Sequence, residues 1–252
     1  MFSAEVRQVL PVEQPAVAVQ TTGLPLAPHP QEALPLPAND LFVSRRLGPV
    51  TRVVKRAIDI VGAAALLVLF APLMVVIALL VARDGGPVLY GHSRVGRGGA
   101  PFRCLKFRSM VVDADARLAA LLEREPAARV EWEATRKLRR DPRVTAIGRL
   151  LRASSLDELP QLFNVLVGDM SLVGPRPVQQ SELAQFYGAA ALHYRAVRPG
   201  LTGPWQISGR SDTTYAERVA YDVAYVERFS LLTDLAILLR TPFAVIARKG
   251  AY

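Results

Sequence analysis

Residues 60–82 form the longest apolar stretch of the chain, IVGAAALLVLFAPLMVVIALLVA, 23 positions without a charge. At ~1.5 Å rise per residue such a helix is roughly 35 Å long, enough to cross a ~30 Å hydrocarbon core. A buried helix of a soluble protein is the competing reading. An apolar surface on every side, sustained this long, favours insertion into lipid. Pro72 lies near the middle, where it removes a helix hydrogen bond and crowds the preceding turn, so the pattern predicts a kink or break there. Two shapes follow: a tilted span, or a helix–break–helix that enters and leaves on the same face. Basic residues flank both ends: Arg45, Arg46, Arg52, Lys55 and Arg56 before, and Arg83, Arg94, Arg97, Arg103, Lys106 and Arg108 after. Cytoplasmic retention of basic flanks favours the re-entrant shape, at the cost of backbone exposed to lipid at the break.

Beyond residue 83 the pattern shortens. Gly85, Gly86 and Pro87, then Gly96, Gly98 and Gly99, bracket the apolar pieces 88–90 and 102–107, which read as a small hairpin. Residues 113–125 read as a polar helix with Ala and Leu on one side, and 156–167 as a short helix stopped by Gly168. Residues 215–229 are amphipathic and helical. Residues 231–247 are apolar but interrupted by Asp234, Arg240 and Pro242, too broken for a second span and suited to lying along the interface. No internal repeat is visible.

The first 43 residues stand apart. They hold seven of the 19 prolines (Pro11, Pro15, Pro25, Pro28, Pro30, Pro35 and Pro37) and read as a disordered or extended tail, without the continuous apolar core of a secretory signal. The 252 residues carry a formal charge of +9, which suits an anionic partner: nucleic acid, a phosphate-rich substrate or a lipid surface. An apolar content of 51% excludes collagen and a disordered chain, and the single cysteine, Cys104, excludes a disulfide scaffold.

The densest cluster of reactive side chains is LRASSLDELPQLFNVLVGDMSLVGPRP, residues 151–177. Asp157 and Glu158 are adjacent carboxylates at a predicted helix start. Asp157 as the N-cap puts Pro160 at the third helical position, where its missing N–H is harmless; Ser155 as the N-cap, with Glu158 reaching back, pushes Pro160 too deep. A capping Asp beside a solvated Glu is therefore one reading. The surroundings support another. Helix N-termini attract phosphate, Arg152 precedes the pair, and Arg176 follows in a stiff Gly-Pro-Arg-Pro. Two carboxylates with two arginines suit a divalent metal and a diphosphate, one acid holding Mg²⁺ and the other attacking. For each arginine a surface ion pair is the simpler alternative.

Glycines and cations recur in Arg94-Val-Gly-Arg-Gly-Gly and in Lys106-Phe-Arg108-Ser-Met, but no P-loop motif occurs. Phe102 and Phe107 read as core, not as exposed aromatics for RNA. Asp113 and Asp115 form an Asp-x-Asp triplet. Such triplets hold the metal of many nucleotide-sugar glycosyltransferases, but here the triplet opens a polar helix. The histidines, His29, His92 and His193, have no ligand spacing, and neither G-x-S-x-G nor H-E-x-x-H is present.

Taken together, these residues resemble the bacterial sugar transferase family, the single-domain polyprenyl-phosphate phosphoglycosyltransferases. The resemblance begins at Lys55-Arg56-Ala-Ile-Asp59. It runs through Gly86-Pro-Val-Leu, Arg94-Val-Gly, Lys106-Phe-Arg-Ser-Met, Ser155-Leu-Asp-Glu-Leu-Pro-Gln161, Gly168-Asp-Met-Ser-Leu-Val-Gly-Pro-Arg-Pro177 and Arg198-Pro-Gly-Leu-Thr-Gly-Pro-Trp-Gln206. It ends at Gly250-Ala-Tyr252. It covers about residues 52–252, and the Asp-Glu-Leu-Pro-Gln to Gly-Pro-Arg-Pro stretch is its most specific part.

The resemblance implies transfer of hexose-1-phosphate from a UDP-hexose to polyprenyl (undecaprenyl) phosphate, the first membrane step of exopolysaccharide synthesis. It implies that Asp157 attacks the β-phosphorus, that UMP leaves, and that the lipid phosphate then attacks the aspartyl phosphosugar. Glu158 is implied as the Mg²⁺ ligand. Lys106, Arg152 and Arg176 match phosphate-holding positions, and Arg108 joins them as a substrate-binding candidate. Two departures stand out. Ala71-Pro72 replaces the usual Ser-Pro, removing a hydroxyl that could satisfy a freed carbonyl, and His92 stands where many members carry glutamine. A short member is implied, without the four-span amino-terminal extension.

The expected fold is α/β but mainly helical: a small catalytic domain with a minor β-hairpin, anchored by a kinked re-entrant membrane helix and interfacial helices. Its expected divisions are a tail over 1–43, a basic collar and membrane helix over 44–83, and a catalytic domain over 84–252. The expected location is the bacterial inner (cytoplasmic) membrane, with the catalytic domain facing the cytoplasm. Anionic membrane lipids are expected partners, nucleic acid is not, and a homodimer is left open. The competing functions are an Asp-x-Asp glycosyltransferase using Asp113 and Asp115, and a non-catalytic membrane assembly protein.

Overall fold

The computed structural model describes residues 48–135, 138–208 and 214–246, all within one compact unit. The tail expected over 1–43, the collar residues Arg45 and Arg46, and the terminal Gly250-Ala251-Tyr252 lie outside the described residues. The architecture is mainly helical with a small antiparallel hairpin.

Helix α1 (Pro49–Ala82) opens on a proline, in the first turn where a missing N–H costs nothing. It continues through Pro72 as one helix; the proline forfeits a hydrogen bond without ending it, and the interruption expected from the sequence is not seen. Asp59, Ala63, Ile77 and Val81 are buried, with Leu66, Leu67, Met74 and Ala78 packed beside them. Their spacing of three and four makes one stripe along most of the helix. The remaining faces expose Val61, Val68, Leu69, Val75, Val76 and Leu79, and 11% of the most apolar 18-residue stretch is buried. A core helix is covered all round, whereas this one meets protein on one side and presents bare hydrocarbon elsewhere, as a membrane-anchoring helix does. By length and composition it can cross a membrane.

Strands β1 (Leu89–Val95) and β2 (Pro101–Phe107) pair antiparallel across a turn at Arg97–Gly99, the hairpin expected from the glycine-bracketed apolar pieces. Polar helices α2 (Ala114–Arg124) and α3 (Pro126–Thr135) follow, then α4 (Ala146–Ser154). The helix expected over 156–167 is split: a 3₁₀ turn at Leu156–Glu158, then α5 (Gln161–Val167), which ends at Gly168. The chain continues with β3 (Ser171–Val173), α6 (Ala191–Ala196), β4 (Gly200–Thr202), α7 (Pro204–Ser208), α8 (Tyr215–Glu227) and α9 (Leu231–Ile246). β3 and β4 pair in parallel, a second small sheet that the sequence pattern did not announce.

The main core joins Ala63 of α1, Phe102 and Cys104 of β2, Leu162 and Val165 of α5, β3, and Tyr225, Phe229 and Ile237. A second cluster places Ile77 and Val81 against Phe107 and Leu151. Polar ties fix the first turns of α1. Arg56 donates from Nη1 and Nη2 to the carbonyls of Val165 (2.6 Å) and Leu166 (2.7 Å), acceptors that the end of α5 leaves open. Buried Asp59 accepts from Ser171 Oγ and the Leu172 N–H, both at 2.9 Å. Lys55 donates to Asp234 of α9 and to the Val173 carbonyl.

Candidate active site

Lys106, near the end of β2, reaches the turn between α4 and α5. Its Nζ donates to Glu158 Oε1 at 2.6 Å and stands 3.9 Å from Asp157 Oδ2. The turn owes its shape to Ser155, whose φ of 58° puts it in the left-handed region, alone among the described non-glycine residues. That conformation costs a side-chain-bearing residue roughly 1 kcal/mol or more. It ends α4 and starts the 3₁₀ turn, and Leu156 and Leu159 anchor the turn in the hydrophobic clusters. Neither Ser155 nor Asp157 caps a helix with its side chain, and Pro160 itself stands at the N-cap of α5. Both capping readings of the sequence are therefore displaced, and the Asp157 carboxyl is left for other use.

Asp157 is 7% exposed. Burial pushes its carboxyl up to about 6; Lys106 and Arg152 oppose that rise, and the neighbouring Glu158 adds to it. Arg152 donates from Nε to Ser109 Oγ at 2.9 Å. Its helix sits close because position 148 is glycine: a Cβ there would collide with the Ser109 carbonyl. Thr145 caps the same helix through the Gly148 N–H. Lys106, Arg152, Asp157 and Glu158 are thus brought together, each from a different local structure except the adjacent acids.

The other two predicted residues are placed differently. Arg108 is buried, and its guanidinium binds Asp84 and the carbonyls of Val81, Pro87 and Met110. It holds Asp84 down at about 2 and ties the end of α1 to the hairpin. Arg176 is exposed and lies over the Trp205 ring, 5.4 Å from its centroid. Arg218 approaches the same ring at 4.8 Å. Trp205 gets there because the Gly-Pro-Arg-Pro segment and the segment around β4 meet backbone to backbone. Gly174 N–H donates to Thr202, Gly200 N–H donates to Pro175, and a Cβ on Gly174 or Gly200 would strike the facing main chain. Sequence reasoning missed Ser109, Trp205 and Arg218, and also Asn164, whose amide bonds both the N–H of Leu105 and the carbonyl of Arg103. Two segments that share a motif vocabulary of Gly and Pro were the available signal for Trp205.

Magnesium is tested by the donor set. No group of three or more His, Cys, Asp or Glu able to cage a metal occurs among the described residues. Mg²⁺ is commonly held by one or two carboxylates with water and substrate phosphate. The adjacent Asp157 and Glu158, beside a lysine suited to phosphate, fit that mode. Asp113, by contrast, is exposed and paired with Arg117 one helical turn on, at 3.0 Å. The triplet it shares with Asp115 is a solvated helix start.

Comparison with known proteins identifies the family of the chain. Residues 50–248 match the model of the family described as bacterial sugar transferase. The chain is 51% identical over 202 residues to the undecaprenyl-phosphate galactose phosphotransferase of Salmonella typhimurium, covering 80% of this chain and 42% of that protein. It is 50% identical over 219 residues to the exopolysaccharide production protein ExoY of Rhizobium meliloti, covering 85% of this chain and 96% of that protein. It is 42% identical to the UDP-glucose:undecaprenyl-phosphate glucose-1-phosphate transferase of Caulobacter vibrioides, covering 86% and 80%. The chain thus spans under half the length of the Salmonella relative, while its match to the shorter Rhizobium protein is nearly end to end. With the family match extending from the first turn of α1 past the end of α9, the chain belongs to the bacterial sugar transferase family.

Proposed function

We propose that this protein transfers hexose-1-phosphate from a UDP-hexose to undecaprenyl phosphate, releasing UMP, as a membrane step of exopolysaccharide assembly. The observation that carries this is the Lys106–Glu158–Asp157 arrangement. A buried carboxyl with a raised pKa, beside a cation and a second acid, is a nucleophile placed where a phosphate is welcome. The names of the Salmonella and Caulobacter relatives support the substrate class, and that of the Rhizobium relative supports a place in exopolysaccharide production.

In the first step an Asp157 oxygen attacks the β-phosphorus of the donor. The bond from that phosphorus to the bridging oxygen breaks, and UMP departs with the electron pair. In the second step an oxygen of the lipid phosphate attacks the same phosphorus and displaces the Asp157 carboxylate. The product is a polyprenyl diphosphate hexose, and the aspartate is regenerated. Lys106 and Arg152 stabilise charge on the transferring phosphoryl oxygens, and Arg176 holds a phosphate from the Gly-Pro-Arg-Pro side. Glu158 would hold Mg²⁺ with water and diphosphate oxygens, and the ion when bound neutralises charge on the leaving group.

The membrane arrangement follows the same reading. Stretches of α1 on both sides of Pro72 rest on one domain. This supports an unbroken helix held along the domain with its bare side in the inner membrane at the cytoplasmic face, bringing the site to the level of lipid phosphates. On α9, Leu232, Leu235, Leu239 and Phe243 form an exposed apolar stripe that supports an interfacial position, with the basic surface held to anionic lipids.

The test is incubation of the detergent-solubilised protein with UDP-hexoses, Mg²⁺ and undecaprenyl phosphate. UMP release is expected from the wild type, loss of at least ~1000-fold in Asp157→Asn, and a peptide containing residue 157 heavier by a hexose phosphate in trapped wild-type protein. UMP release that survives Asp157→Asn overturns the reading.

A further inference from the structure

We propose that Tyr90 and His92 form the wall of the active site that meets the hexose of the nucleotide sugar. The proposal rests on the reaction assigned above and adds the residues that discriminate its donor.

The hairpin register places them. Tyr90 stands opposite Lys106 and His92 opposite Cys104, so all four side chains project from one face of the sheet. Directly paired side chains have Cβ atoms ~4.5–5.5 Å apart. Tyr90 is therefore next to the lysine whose ammonium reaches Asp157 and Glu158. The Tyr90 and His92 rings stack, with centroids 6.1 Å apart and planes at 26°. Tyr90 remains 54% exposed, a broad aromatic surface facing solvent beside the catalytic cation.

The chemistry of the pair suits an uncharged polyol. Burial, then Arg94 and Lys106, lower the pKa of His92, which keeps the imidazole neutral at physiological pH. A neutral imidazole offers one donor and one acceptor, as a pair of hydroxyl groups requires, and adds no charge to compete with Lys106 for phosphate. An aromatic face accepts the C–H side of a pyranose.

In-line displacement decides which part of the donor lies here. Attack by Asp157 requires the departing UMP on the opposite side of the β-phosphorus. The hexose oxygen and the non-bridging oxygens lie in the plane between them. Lys106 addresses that plane, and Tyr90 is its neighbour. Uracil, separated by the α-phosphate and ribose, points away from this wall.

The test compares wild type with Tyr90→Ala, Tyr90→Phe and His92→Gln. Two readouts are taken: kcat/KM for UDP-galactose and UDP-glucose, and the affinity of UDP, which lacks the hexose. Tyr90→Ala is expected to lower kcat/KM for the preferred donor by at least ~10-fold and to leave the UDP inhibition constant within about twofold. Tyr90→Phe restores most of the loss. His92→Gln shifts the galactose-to-glucose ratio at least ~5-fold, the scale of one altered hydroxyl contact. A UDP constant that rises in parallel with the loss overturns the proposal in favour of uracil. Equal losses for both donors, together with weaker flotation on anionic vesicles, overturn it in favour of an interfacial anchor. Calorimetric binding of UDP-hexose against UDP needs no turnover. If the wild type releases no UMP, a hexose-dependent gain in affinity lost in Tyr90→Ala still upholds the wall while the reaction reading fails.

Discussion

Lys55, near the start of the membrane helix, donates to Asp234, far along the chain in the last helix, at 2.5 Å. Tyr225 donates to the other oxygen of the same carboxylate at 2.8 Å. Both ionic partners are largely shielded, with side chains 17% and 8% exposed. This bond fastens α1 to α9 and closes the domain around β3.

Removing one partner of a shielded pair leaves the other charge uncompensated. Lys55→Met should destabilise the protein by about 3 kcal/mol. Burial already raises the Asp234 pKa, with Lys55 opposing that rise. Without the lysine it climbs further. A folded-state pKa above the unfolded value means stability is greatest when both states are protonated and falls as pH rises. Thermal unfolding of Lys55→Met in detergent should therefore show a midpoint that drops from mildly acidic pH upward, more steeply than in wild type. An unchanged pH slope contradicts this.

As the proposed nucleophile, Asp157 has to be ionised to attack, and burial pushes its carboxyl up to about 6. The kcat/KM for UMP release should fall about tenfold per pH unit below that value. Lys106 is the main group holding the pKa down against burial. Lys106→Met should accordingly move the acid limb to higher pH, besides lowering the rate. A limb that stays in place, or moves to lower pH, removes Lys106 from the electrostatics of the nucleophile.

Gly200 lies against the main chain of Gly174, just beyond β3, and a Cβ there would strike main-chain atoms of Gly174 and of Thr202 in its own strand. Gly200→Ala should cost about 3 kcal/mol, at the upper end of ordinary overpacking because backbone cannot rotate away. Since the same contact brings Trp205 under Arg176, activity should fall further than the folded fraction does. Unfolding midpoints and UMP release measured on one preparation separate the two effects.

Cys104 is buried beneath the hairpin, and burial pushes its thiol up to about 11. Alkylation of the folded protein at pH 8 should be about a hundredfold slower than in denaturant, because so little thiolate is present. Fast labelling of folded protein would show that the hairpin opens readily.

Local features survived the passage from sequence to structure. The glycine-bracketed apolar piece 102–107, the uninterrupted apolar run after Asp59 and the amphipathic helix expected over 215–229 and found at Tyr215–Glu227 each follow from their own residues. The family resemblance put Asp157, Glu158, Lys106 and Arg152 in one expected set, and the fold brings these four side chains near one another. What stayed hidden depends on distant partners. β3 and β4 are three residues each and pair only because glycines let two far segments touch. Arg108 resembles a phosphate ligand in sequence, yet Asp84 and three carbonyls surround its guanidinium. The split at Pro160 depends on Ser155 adopting a conformation that composition does not signal.

The stripe on α1 changes what an anchor is in this protein. Ala63 completes one hydrophobic cluster and Ile77 and Val81 complete another. A fragment beginning after Ala82 would be no liberated water-soluble enzyme but a body with a wall torn out, its Phe107 and Leu151 laid bare. Severing the tether thus dismantles the interior, and lipid, by cradling the outer side of that wall, becomes part of what keeps the protein whole.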